Sequence, residues 1–271
     1  MRNEFLRGLW VVAYREWVRL LRDRPRMISS LAVPLFFFGI IGAGFNRAIG
    51  GLAPGVDFVQ FLFPGIVAQT VFMTSIFSGL SVVWDREFGF LKELLVAPIS
   101  RFGIVCGKVA GGASLALMQA LVMLLLSPVA NVPVTAPLML TLVPLLALMS
   151  LSVASLGILI ASRMHSQQGF QLQMQLLILP MIVLSGAFFP LNKAPDWLSI
   201  VAKLNPFTYG VDSIRQAFLA HMAGTQAAGA ASPLSVAVLG HVMTMWNDVL
   251  IVGACGAALL VAAVWAFTRQ E

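Results

Sequence analysis

The chain has 271 residues, of which 59% are hydrophobic and only 10% charged; a soluble domain carries about a quarter charged residues, so a water-soluble globule is excluded. Its apolar residues come in blocks of about 20, the length that crosses a ~30 Å hydrocarbon core as helix, and the alternating segments of a membrane barrel are missing. The formal charge of +6 reflects cations that flank these blocks, which points to orientation in a membrane rather than to nucleic acid.

The pattern predicts an all-α polytopic membrane protein in two parts. Residues 1–26 form an amphipathic cytoplasmic segment, and 27–271 a single transmembrane domain. The first part is too long and too rich in arginine for the n-region of a signal peptide, and a full span follows it, so it is read as retained. Leu6, Leu9, Trp10, Ala13, Tyr14, Trp17, Leu20 and Leu21 share one arc at about 100° per residue, and Arg7, Arg15, Glu16, Arg19, Arg22 and Asp23 the opposite arc. This predicts a helix lying at headgroup level, either as a lipid anchor or as a connector touching a cytoplasmic partner.

Six transmembrane helices are expected at about 27–45, 58–84, 102–126, 138–162, 170–189 and 249–267. With the N-terminus inside, 13 basic residues face the cytoplasm, and 4 (Arg47, Lys193, Lys203, Arg215) face outward, together the 17 in the chain. Both termini are therefore expected in the cytoplasm. Between spans 2 and 3 lies a short cytoplasmic segment from Asp85 to Arg101. Phe88, Leu91, Leu94 and Leu95 make its apolar stripe, Arg86, Glu87, Lys92 and Glu93 surround the stripe, and Pro98 stops it. Such a helix either docks on a partner or rests on lipid.

Between spans 5 and 6, the external region at about 190–248 contains two short helical patterns. Trp197, Leu198, Val201 and Leu204 share one face of the first; Ile214, Ala217 and Phe218 share a face of the second. Neither is expected to be long enough to cross. They read as a re-entrant pair dipping into the outer leaflet under a cover of protein, or as interfacial helices with a packing role.

No catalytic site or metal site is expected. The nearest approach to a phosphate loop, Gly103 to Val109, lacks a spacer residue and the Ser/Thr for magnesium. Gly103, Gly107 and Gly111 instead form a small-residue ridge suited to close helix packing. Two polar stripes remain. Thr70, Thr74, Ser78 and Ser81 lie on one face of span 2, and Gln168, Gln171 and Gln175 on one face of span 5. They either bond helices together or line a cavity. The scarcity of charge inside the spans argues against an ion-coupled secondary transporter; a scaffold or anchor subunit without a transport path is the other alternative.

Four stretches, in order on a six-span frame, resemble the type-two ABC exporter permeases (ABC-2 type), in the branch with drug- or antibiotic-resistance and nodulation-factor exporters. They are Phe61 to Gly65, Lys92 to Arg101, Leu184 to Pro190, and Asn205 to Arg215. The resemblance implies a permease subunit that binds no cofactor itself and works as two copies, as a homodimer, with two copies of a separate ATPase that holds ATP and Mg. It places the chain in a bacterial inner membrane, exporting an amphipathic, lipid-linked or drug-like substrate by alternating access. It also implies a connecting helix at residues 6–21. A coupling helix would dock on the ATPase through Arg86, Glu87, Phe88, Leu91, Lys92, Glu93, Leu94, Leu95, Pro98 and Arg101. The outer gate would be built from Phe188, Phe189, Pro190, Asn205, Pro206, Tyr209 and Arg215. The tail from Ala220 to Asp248 is longer than in a minimal family member, which bears on how that gate is covered.

Overall fold

Apolar runs of this length satisfy their backbone polar groups within themselves only as helix, and the computed structural model follows that rule. Residues 2–22, 24–49, 57–90, 100–132, 134–189, 191, 195–222, 237–238 and 241–269 are described. In chain order they form α1 (Arg2–Arg22), α2 (Arg24–Ile49), α3 (Phe58–Ile76), a 3₁₀ turn (Phe77–Gly79), α4 (Leu80–Glu87), α5 (Arg101–Leu124), a second 3₁₀ turn (Ser127–Ala130) and α6 (Ala136–Ser162). There follow α7 (Gln167–Val183), α8 (Asp196–Leu204), α9 (Pro206–Met222) and α10 (Met245–Arg269). Between turns and connections the described residues are helical, apart from a short antiparallel pair, β1 (Ala237–Val238) with β2 (His241–Val242). That pair falls within the region at about 190–248 that the sequence suggests is external.

Local sequence sets the helix starts. Ser100 and Ser166 each cap a helix by accepting from the amide three residues on, Gly103 and Gly169. Gly89, at φ +81°, ends α4 in the left-handed conformation that glycine adopts without a Cβ penalty.

Among the described residues, four helices are long and apolar enough to cross a membrane: Phe58–Glu87, Arg101–Leu124, Ala136–Ser162 and Met245–Arg269. The α2 helix carries a shorter apolar run, Leu31–Gly42, and α7 has 17 residues. The last span begins at Met245, so Asp248 lies inside its first turn rather than before it.

The core forms around α6, which packs on α10, α5, α3 and α9. Where α3 meets α6, two glycines permit backbone contact. A Cβ at Gly157 would lie 3.0 Å from the Ile76 Cα, and one at Gly79 2.6 Å from the Gly157 carbonyl carbon. Two members of the expected glycine ridge, Gly107 and Gly111, pack against α1. A Cβ at Gly107 would sit 2.9 Å from Val12 Cβ, and one at Gly111 3.0 Å from Glu16 Cβ. These contacts advance in step, so α1 runs beside α5 in the same direction. The aromatic arc of α1 is exposed at Trp10 and Tyr14, while Val12 and Glu16 are buried. Part of its polar arc therefore faces protein rather than water. The α9 helix is buried along Phe207–Leu219, polar residues included.

Candidate functional site

The two polar stripes meet at one cavity of about 430 Å³, within the range of small-molecule sites. Thr74, Ser78 and Ser81 line one wall, and Gln171 and Gln175 the other. Intervals of four and three keep the first set on one helical face, and the 3₁₀ turn at 77–79 tightens the helix in the middle of that wall. The floor is apolar, with Val33, Pro34, Met73, Phe77 and Leu115. Thr74 donates to the Gln119 side chain of α5, which also lines the cavity. Ser78 packs on Gly112, where a Cβ would overlap the serine side chain. Two residues of the stripes stand apart. Thr70 is buried and bonds back to the Ile66 carbonyl at 2.9 Å, and Gln168 is exposed in the first turn of α7.

At one end of the cavity, charges from three helices come together. The Lys108 side chain is fully buried. Its Nζ donates to Asp85 Oδ2 at 2.6 Å and to Ser81 Oγ at 3.1 Å, and lies 3.5 Å from Glu16 Oε1. Arg15 Nη2 reaches the same Asp85 oxygen at 2.5 Å, and Glu16 Oε1 at 3.6 Å. Trp17 Nε1 donates to Ser114 Oγ at 2.7 Å, fixing α1 on α5. Arg19 stacks over Trp84, its Cζ 3.8 Å from the ring centroid. A buried ammonium is tolerated only with such partners, and Gly107 and Gly111 admit α1 closely enough to supply them.

The coupling-helix candidates divide. Arg86 points inward, its Nη1 donating to the carbonyls of Ser162 and Met164 at 2.8 and 2.7 Å. Glu87 Oε2 accepts from the Gln167 amide at 3.3 Å. Phe88 is exposed, and Arg101 donates to the Thr268 carbonyl at 3.3 Å. Leu91, Lys92, Glu93, Leu94, Leu95 and Pro98 lie outside the described residues.

The outer candidates form a knot of side-chain-to-backbone bonds where α7 ends. Arg215, 3% exposed, donates through Nη2 to the Gly186 carbonyl at 2.7 Å and stands over the Phe61 ring at 3.9 Å. Asn205 donates to the Met181 carbonyl at 2.7 Å and accepts from the Phe207 amide at 3.1 Å, closing α8 and opening α9 with Pro206 as its first residue. Tyr209 Oη donates to the Lys203 carbonyl at 2.8 Å. Phe188 lies 5.9 Å from Phe37 between ring centroids, and Phe189 packs on Leu191 and Ala202. Pro190 lies outside the described residues. At Gly65 a Cβ would fall 2.9 Å from the Ala187 carbonyl carbon. Three stretches far apart in sequence (61–65, 184–189 and 205–215) thus converge in space.

Sequence reasoning missed several residues. The sequence puts Glu16 on the polar arc of the first helix, Lys108 among the 13 cytoplasmic cations and Asp85 at the start of the segment between spans 2 and 3. Gln119 is a mid-span amide and was detectable by the argument that identified the stripes. Asp212 and Asp248 both accept from the Gln216 amide, at 3.0 and 2.9 Å, a meeting that only the fold reveals. Among the described residues no group of three or more His, Cys, Asp or Glu could hold a metal.

The family model described as ABC-2 type transporter matches residues 7–219. The chain belongs to the ABC-2 type transporter family. It is a multi-pass membrane protein and a transport permease, in a family that works with a separate ATP-binding subunit. Among its relatives, ycf38 of Cyanophora paradoxa, which carries the name transport permease, is 32% identical over 217 residues, 78% of this chain and 74% of the relative. YbhR of Escherichia coli (strain K12), which carries the name multidrug ABC transporter permease, is 30% identical over 168 residues, 61% of this chain and 45% of the relative. Nodulation protein J of Rhizobium meliloti (strain 1021) is 27% identical over 214 residues, 78% of this chain and 80% of the relative. The ABC-2 match spans the cavity walls on α3, α4 and α7, and it includes the three stretches that meet at the outer knot.

Proposed function

We propose that this ABC-2 permease exports an amphipathic, lipid-linked or drug-like molecule from the cytoplasm across a bacterial inner membrane. Two copies form a homodimer with two ATPase subunits, which hold ATP and Mg. Both termini are cytoplasmic, the six helical segments α2, α3–α4, α5, α6, α7 and α10 cross the membrane, and α8–α9 form a re-entrant pair on the outer side. The observation that carries this reading is the cavity shared by the two polar stripes. Hydroxyls and amides stand over an apolar floor, a lining that suits a molecule with one polar and one apolar part. A scaffold would have no need to keep such walls apart.

In this mechanism, ATP binding draws the ATPases together and moves the segment from Arg86 to Arg101. The inward-facing cavity, with Thr74, Ser78, Ser81, Gln171 and Gln175 on its walls, then closes as the outer side opens. The permease must hold its substrate differently in the two states, since equal affinity would shift nothing. The outer gate consists of Phe188, Phe189, Pro190, Asn205, Pro206, Tyr209 and Arg215.

The test is ATP-dependent flux in proteoliposomes containing the permease and its genomically adjacent ATPase, across a panel of fluorescent lipids, labelled glycolipids and cationic dyes. Flux of at least one probe, blocked by Gln175→Trp with folding and ATPase association retained, is the expected result. An intact, ATP-hydrolysing complex that moves none of them would contradict it.

A further inference from the structure

We propose that Asp85 is the joint through which movement of the cytoplasmic segment reaches the cavity walls, an inference that rests on the exporter reading above. Its carboxylate sits where the cytoplasmic segment begins, and Lys108 lies two turns beyond the point where that segment ends. Their 2.6 Å contact therefore closes the intervening chain into a loop. The same Oδ2 holds Arg15 at 2.5 Å, so one oxygen ties α4 to both α5 and α1. Lys108 also holds Ser81, which lines the cavity.

The next two residues extend the grip. Arg86 binds the carbonyls of Ser162 and Met164 at the end of α6. Glu87 accepts from the Gln167 amide at the start of α7. Three consecutive side chains thus hold α1, α5, α6 and α7. One cavity wall lies on α3–α4, directly before them, and the other on α7, which carries Gln171 and Gln175. A push on the segment after Glu87 is delivered to both walls together.

The energetics point to a mechanical role as well. Desolvating a buried ion pair costs about as much as the attraction returns, and apolar pairs of similar volume are often as stable. Stability alone does not account for a fully buried lysine held by two carboxylates. A directional tie between helices that must shift as one body does.

The test uses the complex with its ATPase, a Cys106- and Cys255-free background and Gln175→Cys as reporter. Labelling by a charged maleimide is compared between nucleotide-free and ATP–vanadate-trapped states. With Asp85 and Lys108 intact, trapping should change labelling by about fivefold or more. Asp85→Asn with Lys108→Gln should keep ATPase association and hydrolysis but flatten that change to under about twofold. Asp85→Glu should retain it, and Arg15→Gln should reduce it partway. A double variant that responds like its parent overturns the joint while leaving the exporter reading intact. If the double variant fails to accumulate, Arg15→Gln decides, and an undiminished response there overturns the joint. A parent complex that never responds to nucleotide overturns the exporter reading and the joint with it.

Discussion

The inner junction and the outer knot are both rich in buried polar groups, yet they are built differently. At the junction, charged side chains pair across three helices: Lys108 donates to Asp85 and Ser81, with Glu16 3.5 Å away. Outside, side chains bond mainly to backbone carbonyls. Arg215 serves Gly186, Asn205 serves Met181, and Thr208 serves Ala202 at 2.8 Å. The Gly186 and Met181 carbonyls lie where α7 ends, and the Ala202 carbonyl, which also accepts from the Asn205 amide at 3.1 Å, lies where α8 ends. The bonds of the junction tie separate helices to one another, whereas those of the knot each secure one helix end. The comparison assigns the transmission of movement to the first and the integrity of the helix ends to the second.

The largest effect should come from removing Arg215. Arg215→Ala strips the Gly186 carbonyl of its donor and leaves a void over Phe61, together on the order of 3 kcal/mol or more. Thermal unfolding in detergent should show a large drop, and a variant that melts like wild type would break the contrast. Gly157→Val should follow, because its side chain would press on the Ile76 backbone, at a cost of about 1–3 kcal/mol; an unchanged melting temperature would mean that α3 and α6 can move apart there. Arg86→Ala comes next. It should lower stability by about 1–3 kcal/mol through the orphaned carbonyls of Ser162 and Met164, whereas Phe88→Ala should weaken ATPase co-purification and leave melting unchanged. Weakened co-purification with unchanged melting for Arg86→Ala would assign Arg86 to ATPase docking instead.

These cases show what was legible in the sequence. Helix periodicity and apolar length exposed the four helices long and apolar enough to cross a membrane, the polar stripes and part of the glycine ridge, because each is a local pattern with a fixed repeat. They did not reveal which neighbour a ridge meets. Gly107 and Gly111 read as a surface for a closely packed neighbour; α1 is that neighbour, and it carries Glu16 inward. The same limit applies to charge. Lys108 looked like a boundary cation because its partner, Asp85, is brought close only by the packing of α4 on α5. On span 2, Thr74, Ser78 and Ser81 line the cavity, whereas the Thr70 hydroxyl bonds back to its own helix. Local spacing cannot distinguish a hydroxyl facing a cavity from one that turns back.

The smallest effect sharpens that last distinction. Thr70→Ala should change stability by no more than about 0.6 kcal/mol, the average for a membrane hydrogen bond, and should leave transport unchanged. Thr74→Ala should be equally mild for folding but alter which probes are exported, and identical transport profiles for the two variants would count against the cavity.

The central claim is that the two stripes face one space open to the cytoplasmic side, and thiol accessibility tests it without knowledge of the substrate. Single cysteines at Thr70, Thr74, Ser78 and Gln175, in a background lacking Cys106 and Cys255, would be exposed to an impermeant maleimide in inverted membrane vesicles. Positions 74, 78 and 175 should react and position 70 should stay protected. Equal reactivity at 70 and 74, or protection at all four, would contradict the shared cavity.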